Sequence, residues 1–153
     1  MRKVLFPLMI ALAAAHPALA NEARVEARGG VYWEPGDTKA TAGVAAGYDF
    51  DLGSAAFAGG EVSGDKILES GRKVAFGFTG RLGVKASPTD KLYIDGGHTT
   101  KPCELCESAE HIGAGYEHNF ASRLYGKVEY RHFLTHNGAP KSNAVSAGVG
   151  LKF

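Results

Sequence analysis

The carboxy-terminal stretch Ala144-Val-Ser-Ala-Gly-Val-Gly-Leu-Lys-Phe153 decides the fold. Val145, Ala147, Val149, Leu151 and Phe153 occupy every second position, and Ser146, Gly148, Gly150 and Lys152 fill the places between them. Successive side chains of an extended chain point to opposite faces, so this pattern predicts a strand with one apolar and one small or polar face. At about ten residues it has the length that a tilted strand needs to cross the hydrocarbon layer of a membrane.

Working back along the chain, the same alternation recurs. In 73–86, Val74, Phe76, Phe78, Leu82 and Val84 alternate with Ala75, Gly77, Thr79, Arg81, Gly83 and Lys85. In 124–133, Leu124, Val128 and Tyr130 oppose Tyr125, Lys127, Glu129 and Arg131. Fainter versions run through 23–33, 40–50, 54–63, 91–99 and 111–120, giving about eight strands in all. The connections alternate too. Residues 51–53, 87–90 and 119–122 read as tight turns, whereas 34–39, 64–72, 100–110 and 134–143 read as four longer polar loops. An up-and-down barrel with both termini in the periplasm places short turns inside and long loops outside in this order.

A soluble barrel of the lipocalin type shows similar periodicity, with its apolar face turned inward. The second face argues against it. That face is rich in small residues, such as Gly43, Ala45 and Gly47, or Gly113 and Gly115, which suit a narrow interior better than a water-exposed exterior. The expected fold is therefore an all-β, up-and-down antiparallel transmembrane β-barrel, with Val, Leu and Phe facing lipid. Twenty-one glycines also argue against long helices.

Residues 1–20 read as a cleaved signal peptide, and 21–153 as the barrel domain. Arg2 and Lys3 precede an apolar run over 4–15, and Ala18-Leu19-Ala20 has the small-x-small form of a cleavage site. The run is shorter than the roughly 20 residues of a membrane-spanning helix. Removing it leaves 15 basic and 16 acidic side chains of the original 17 and 16. That near-neutral balance, without a basic cluster interleaved with aromatics, speaks against a nucleic-acid partner.

With these features the chain resembles the small outer-membrane β-barrels of the OmpA-like and opacity-type porin superfamily. AVSAGVGLKF, YGKVEYRHF and KLYIDGGHTT carry the resemblance, which covers essentially all of 21–153. It implies about eight strands in the outer membrane of a Gram-negative bacterium and no cofactor. It also implies that Phe153, Leu151 and Val149 form the signal read by the barrel-assembly machinery. The wall-anchoring role of relatives with a further peptidoglycan-binding domain is not carried over.

Strand parity sends Glu26, Arg28, Arg81, Lys85, Asp95, Glu117, Lys127, Glu129 and Arg131 into the lumen. Charges confined there are expected to pair, because an unpaired buried ion is strongly unfavourable. A structural plug is the first reading, and a narrow channel whose ion pairs exchange is the second. Trp33, Phe50, Phe120, Tyr130 and Phe153 read as interfacial girdles.

The third outer loop holds Cys103 and Cys106 between His98 and His111. Two Cys and two His suit a tetrahedral zinc ion, but two lone cysteines in an exported protein point first to a disulfide, with free or redox-active thiols as the other possibility. RHFLTHNGAPKSN faintly resembles the motif of lipid A deacylase barrels. That family has a Ser two residues after its His, where Leu134 follows His132 here, so no activated hydroxyl is in place and no enzymatic activity is expected. The expected role is structural or surface-interacting, through outer-membrane lipid and lipopolysaccharide and an unidentified extracellular partner.

Overall fold

Eight strands succeed one another along the chain: β1 (Glu22–Glu34), β2 (Asp37–Leu52), β3 (Ala56–Ile67), β4 (Ala75–Lys85), β5 (Asp90–Thr99), β6 (Ala109–Asn119), β7 (Leu124–Leu134) and β8 (Ser142–Lys152). The computed structural model describes residues 21–134 and 141–153. The expected signal peptide and His136 lie outside the described residues. Each strand pairs antiparallel with the next, and β1 pairs with β8 from Arg24↔Lys152 to Trp33↔Asn143. The sheet is thus a closed barrel. Closure matters in hydrocarbon, where every unpaired backbone group costs several kcal/mol.

The start of β1, the end of β8 and the three short turns lie at one end of the barrel, and Phe153 pairs there with Ala23 through N–H···O bonds of 2.9 and 3.2 Å. Gly53 turns β2 into β3 with a φ of 83°, a left-handed conformation that glycine adopts without steric cost. At the other end, residues 68–74 and 100–108 form long loops, but the first connection does not. Glu34 pairs directly with Asp37, so Pro35 and Gly36 (φ 85°) make a two-residue turn in place of the loop expected over 34–39. The β1–β2 ladder continues past the point where β3 begins to pair at Thr41↔Ile67, and the hairpin tip stands beyond that rim. β3 likewise runs to Ile67, so the second loop is shorter than the 64–72 span expected. Proline and polar residues mark a bend in sequence, but they do not reveal that both flanking strands stay paired up to it.

Burial is inverted relative to a soluble protein. Among the described residues, six apolar side chains are buried, against seventeen polar or charged ones. Outside, Val44, Phe78 and Ile94 expose about 60% of their surface. A lipocalin-type arrangement requires the reverse, and so it is excluded.

Several large inward side chains of the narrow lumen are set against a glycine of a neighbouring strand. A Cβ at Gly115 would lie 2.2 Å from Cζ of Tyr93, and one at Gly47 would lie 2.5 Å from a terminal nitrogen of Arg24. The small face visible in the sequence is therefore the space into which rings and guanidinium groups fold.

Candidate functional site: the charged lumen and the outer loops

Inward strand positions place charges in two tiers. Nearer the outer loops, Glu61 on β3 accepts hydrogen bonds from Arg24 (2.7 Å), Arg28 (2.9 Å), Arg131 (3.2 Å) and Lys127 (3.3 Å). Around it, Lys127 reaches Glu26 at 2.6 Å and Arg131 reaches Glu129 at 2.6 Å. Arg28 also holds Asp65 at 2.5 Å. Tyr125 and Tyr93 donate to Glu26 and Glu129, both at 2.7 Å.

The tier nearer the three short turns is built on Asp49 and Glu117. Arg81 binds Asp49 and donates to Glu117 at 3.1 Å, while Lys152 donates to Glu117 at 2.6 Å. Lys91 bridges to Glu22 at 2.7 Å. Rings line this tier as well: the Arg81 guanidinium lies 5.2 Å from the centroid of Phe57 and 5.0 Å from that of Tyr93. Cations over ring faces gain electrostatic attraction when water is excluded.

Glu26, Arg28, Arg81, Glu117, Lys127, Glu129 and Arg131 thus meet in one connected set. Asp95 is buried but looser, with Arg131 at 3.7 Å and His111 at 3.8 Å. Lys85 does not join. It pairs with Asp51 at 2.5 Å at the end of the barrel that carries the three short turns, with a quarter of its side chain exposed, because the last residue of β4 lies at the rim. Parity alone could have added Arg24, two positions before Glu26, as well as Asp49, Glu61 and Lys91. Lys152 already stood on the polar face of the last strand.

Above the upper tier the barrel opens into a cavity of about 340 Å³, lined among others by Arg28, Tyr32, Ile67, Ala75, Phe133 and Leu105. The second and third loops are tied together over it. Lys73 donates its backbone N–H to the Pro102 carbonyl at 2.8 Å, and its ammonium pairs with Glu104. Glu69 accepts from Arg72 at 2.8 Å and pairs with Lys39 at 2.9 Å. The hydrogen bonds from Arg72 and Lys39, aided by their charges, hold the Glu69 carboxyl below the usual carboxylate range.

Cys103 and Cys106 are joined as a disulfide. His98 points outward from β5, whereas His111 is buried inside, bonded to Thr79 at 3.1 Å. The two histidines therefore lie on opposite faces, and the four residues do not converge on a metal. Trp33 and Tyr130 meet near the outer rim with their rings tilted by 45° and centroids 6.3 Å apart, and Asn143 accepts from Tyr130 (2.7 Å) and contacts His132 (2.8 Å). Phe50, Phe120 and Phe153 are exposed near the opposite rim. His132 thus sits in an outward aromatic and amide cluster, with Asn143 and no hydroxyl as its hydrogen-bond partner among the described residues.

No protein-family model and no curated protein sequence matches the chain. Solved structures share its fold. The N-terminal β-barrel domain of Pseudomonas aeruginosa OprF matches with a TM-score of 0.64 at 15% identity, over 86% of this chain and 97% of that one. The outer membrane enzyme PagL matches at 0.60 and 14% identity, over 85% and 98%. Ail, the attachment invasion locus protein of Yersinia pestis, matches at 0.55 and 14% identity, over 87% and 97%. The chain therefore has the fold of the small eight-stranded outer-membrane barrels. An enzyme and an attachment protein share that architecture, so function must be argued from the lumen and the loops.

Proposed function

We propose that this protein is an outer-membrane β-barrel with a structural or surface-interaction role, exported by a cleaved signal peptide and presenting its outer loops to an extracellular partner. The observation that carries this reading is the lumen. Glu61 alone gathers four cations, and the rings of Tyr93, Tyr125 and Phe57 are buried in the same interior. Ions held this closely have exchanged their water for one another, which favours a rigid plug over a wet pathway.

The apolar exterior suits acyl chains, and the aromatic rims suit the headgroup level. Val149, Leu151 and Phe153 all face outward at the end of β8, where assembly machinery can read them. Recognition then falls to residues 68–74 and 100–108, which the Lys73–Pro102 hydrogen bond and the Lys73–Glu104 ion pair hold as one surface.

Planar-bilayer recording of the purified protein tests the reading. A sealed scaffold shows no current above background, and replacement of either loop removes partner binding while the barrel stays folded. Steady conductance altered by charge reversal at Arg131 would favour the narrow channel instead. A change in lipid A mass that depends on His132 would favour a hydrolase.

A further inference from the structure

Loops on the outer rim carry a sulfur chemistry that a scaffold does not need. The Cys103–Cys106 ring encloses only two residues, and the gain from constraining an unfolded chain grows with ring size, so this bond contributes little to the barrel. Both cysteines are half-buried and reachable from solvent. Their environments differ. Arg72, reaching across from the second loop, points Nη1 at Cys106 Sγ at 3.3 Å, and among the described residues no such donor faces Cys103.

We propose that Cys103–Cys106 is a thiol-exchange site for small soluble thiols, with Cys103 as the attacked sulfur and Cys106 as the leaving group. An incoming thiolate bonds to Cys103 Sγ, and the Sγ–Sγ bond breaks. Its electron pair stays on Cys106 Sγ as a thiolate beside the Arg72 guanidinium. A second thiol then displaces Cys103 from the mixed disulfide, so two thiols are oxidised to one disulfide and the loop disulfide is reduced to two thiols. A lower-pKa leaving thiol departs faster, and a neighbouring guanidinium lowers that pKa. Arg72 is thus a positioning residue.

The charges around the pair are mixed. Glu69 occupies Arg72 Nε and is itself held by Lys39, while Lys73 neutralises Glu104. Glu107 and Lys101 are exposed on the loop itself, and Glu34 acts on Arg72 from β1. With Glu104 and Glu69 paired, the Arg72 fork keeps Nη1 free for sulfur. Opening the bond leaves the loop in place, because Thr100 N–H still donates to the Phe76 carbonyl (2.9 Å) and Lys73 N–H to that of Pro102.

The full-length protein, refolded in detergent micelles, is exposed to free cysteine, quenched with acid and mapped by mass spectrometry. The mixed disulfide is expected on Cys103, roughly fivefold or more over Cys106, and Arg72→Met should slow the reaction and level the distribution. In the reduced protein, iodoacetamide alkylation of Cys106 should have a midpoint below that of an ordinary thiol (about 8.5), and the midpoint should rise in Arg72→Met. Arg72→Lys, which keeps a cation, should restore part of the shift, separating charge from mere loop support. Equal adducts on both sulfurs of the unaltered protein, or a Cys106 profile indifferent to Arg72→Met, would overturn the proposal.

Discussion

Replacing Glu61 by Gln keeps the shape of the side chain and removes one charge from the most crowded position in the lumen. Its four cations do not suffer equally. Arg28 retains Asp65 at 2.5 Å, Lys127 retains Glu26 at 2.6 Å and Arg131 retains Glu129 at 2.6 Å. Arg24 is left with Glu26 at 3.7 Å and Asp49 at 3.8 Å, beyond hydrogen-bond distance. It is a fully enclosed guanidinium, 1% exposed, so water cannot take the place of the lost carboxylate. Breaking a buried pair from one side costs about 3–5 kcal/mol. Urea unfolding in lipid vesicles, read on a denaturing gel as the fraction of unboiled protein that still migrates as a compact folded barrel, should show a loss of that size. Adding Arg24→Met should recover at least about 1 kcal/mol, since the orphaned charge is then gone and the two sites are coupled. A loss under about 0.5 kcal/mol for Glu61→Gln, or simple additivity with Arg24→Met, would refute the idea that the lumen is a tightly paired plug.

Other perturbations discriminate between packing and charge. Gly115→Val should destabilise the barrel by about 1–3 kcal/mol through collision with the Tyr93 ring, seen in the same unfolding assay, and Tyr93→Ala should lessen that effect. Lys85→Ala should cost less than about 1 kcal/mol, because its partner Asp51 sits at a wet rim. The Glu69 clasp should respond to acid. A carboxyl whose pKa is depressed in the folded protein stabilises above its unfolded value and loses that contribution as pH falls through the folded one. The protection of the Arg72 and Lys73 amides, taken as the slowing of exchange relative to an unstructured peptide at the same pH, should therefore hold down to pH 4.5, the ordinary glutamate value, and fall only below it.

The barrel was legible because period two survives in nearly every segment, and the parity of 74–85, 124–131 and 144–153 matches the faces that the structure displays. Strand ends were less legible. The Pro35-Gly36 turn carries the composition of a loop, and only the Glu34↔Asp37 pairing reveals a protruding hairpin. The inward charges follow from parity wherever a strand's phase is known. Glu61 is also in phase, one position before the outward Val62, but Gly59, Gly60 and Gly64 leave few side chains to mark that phase, so the hub is the least conspicuous of the inward charges. Phe57 and Tyr93 escaped for a related reason: an aromatic ring at an inward position reads as misplaced until the glycines opposite, Gly83 and Gly115, are seen to admit it. The link between Arg72 and Cys106 joins two loops 34 residues apart, and no local pattern encodes it.

Alternate side chains of the wall point into lipid. The most direct test places the single tryptophan at Phe78, in a Trp33→Phe background, and measures its fluorescence in vesicles of brominated phospholipid. Strong quenching by bromine on the acyl chains is expected, and little by acrylamide added to the water. A fluorophore at position 78 that is untouched by brominated lipid and quenched from solution would contradict it.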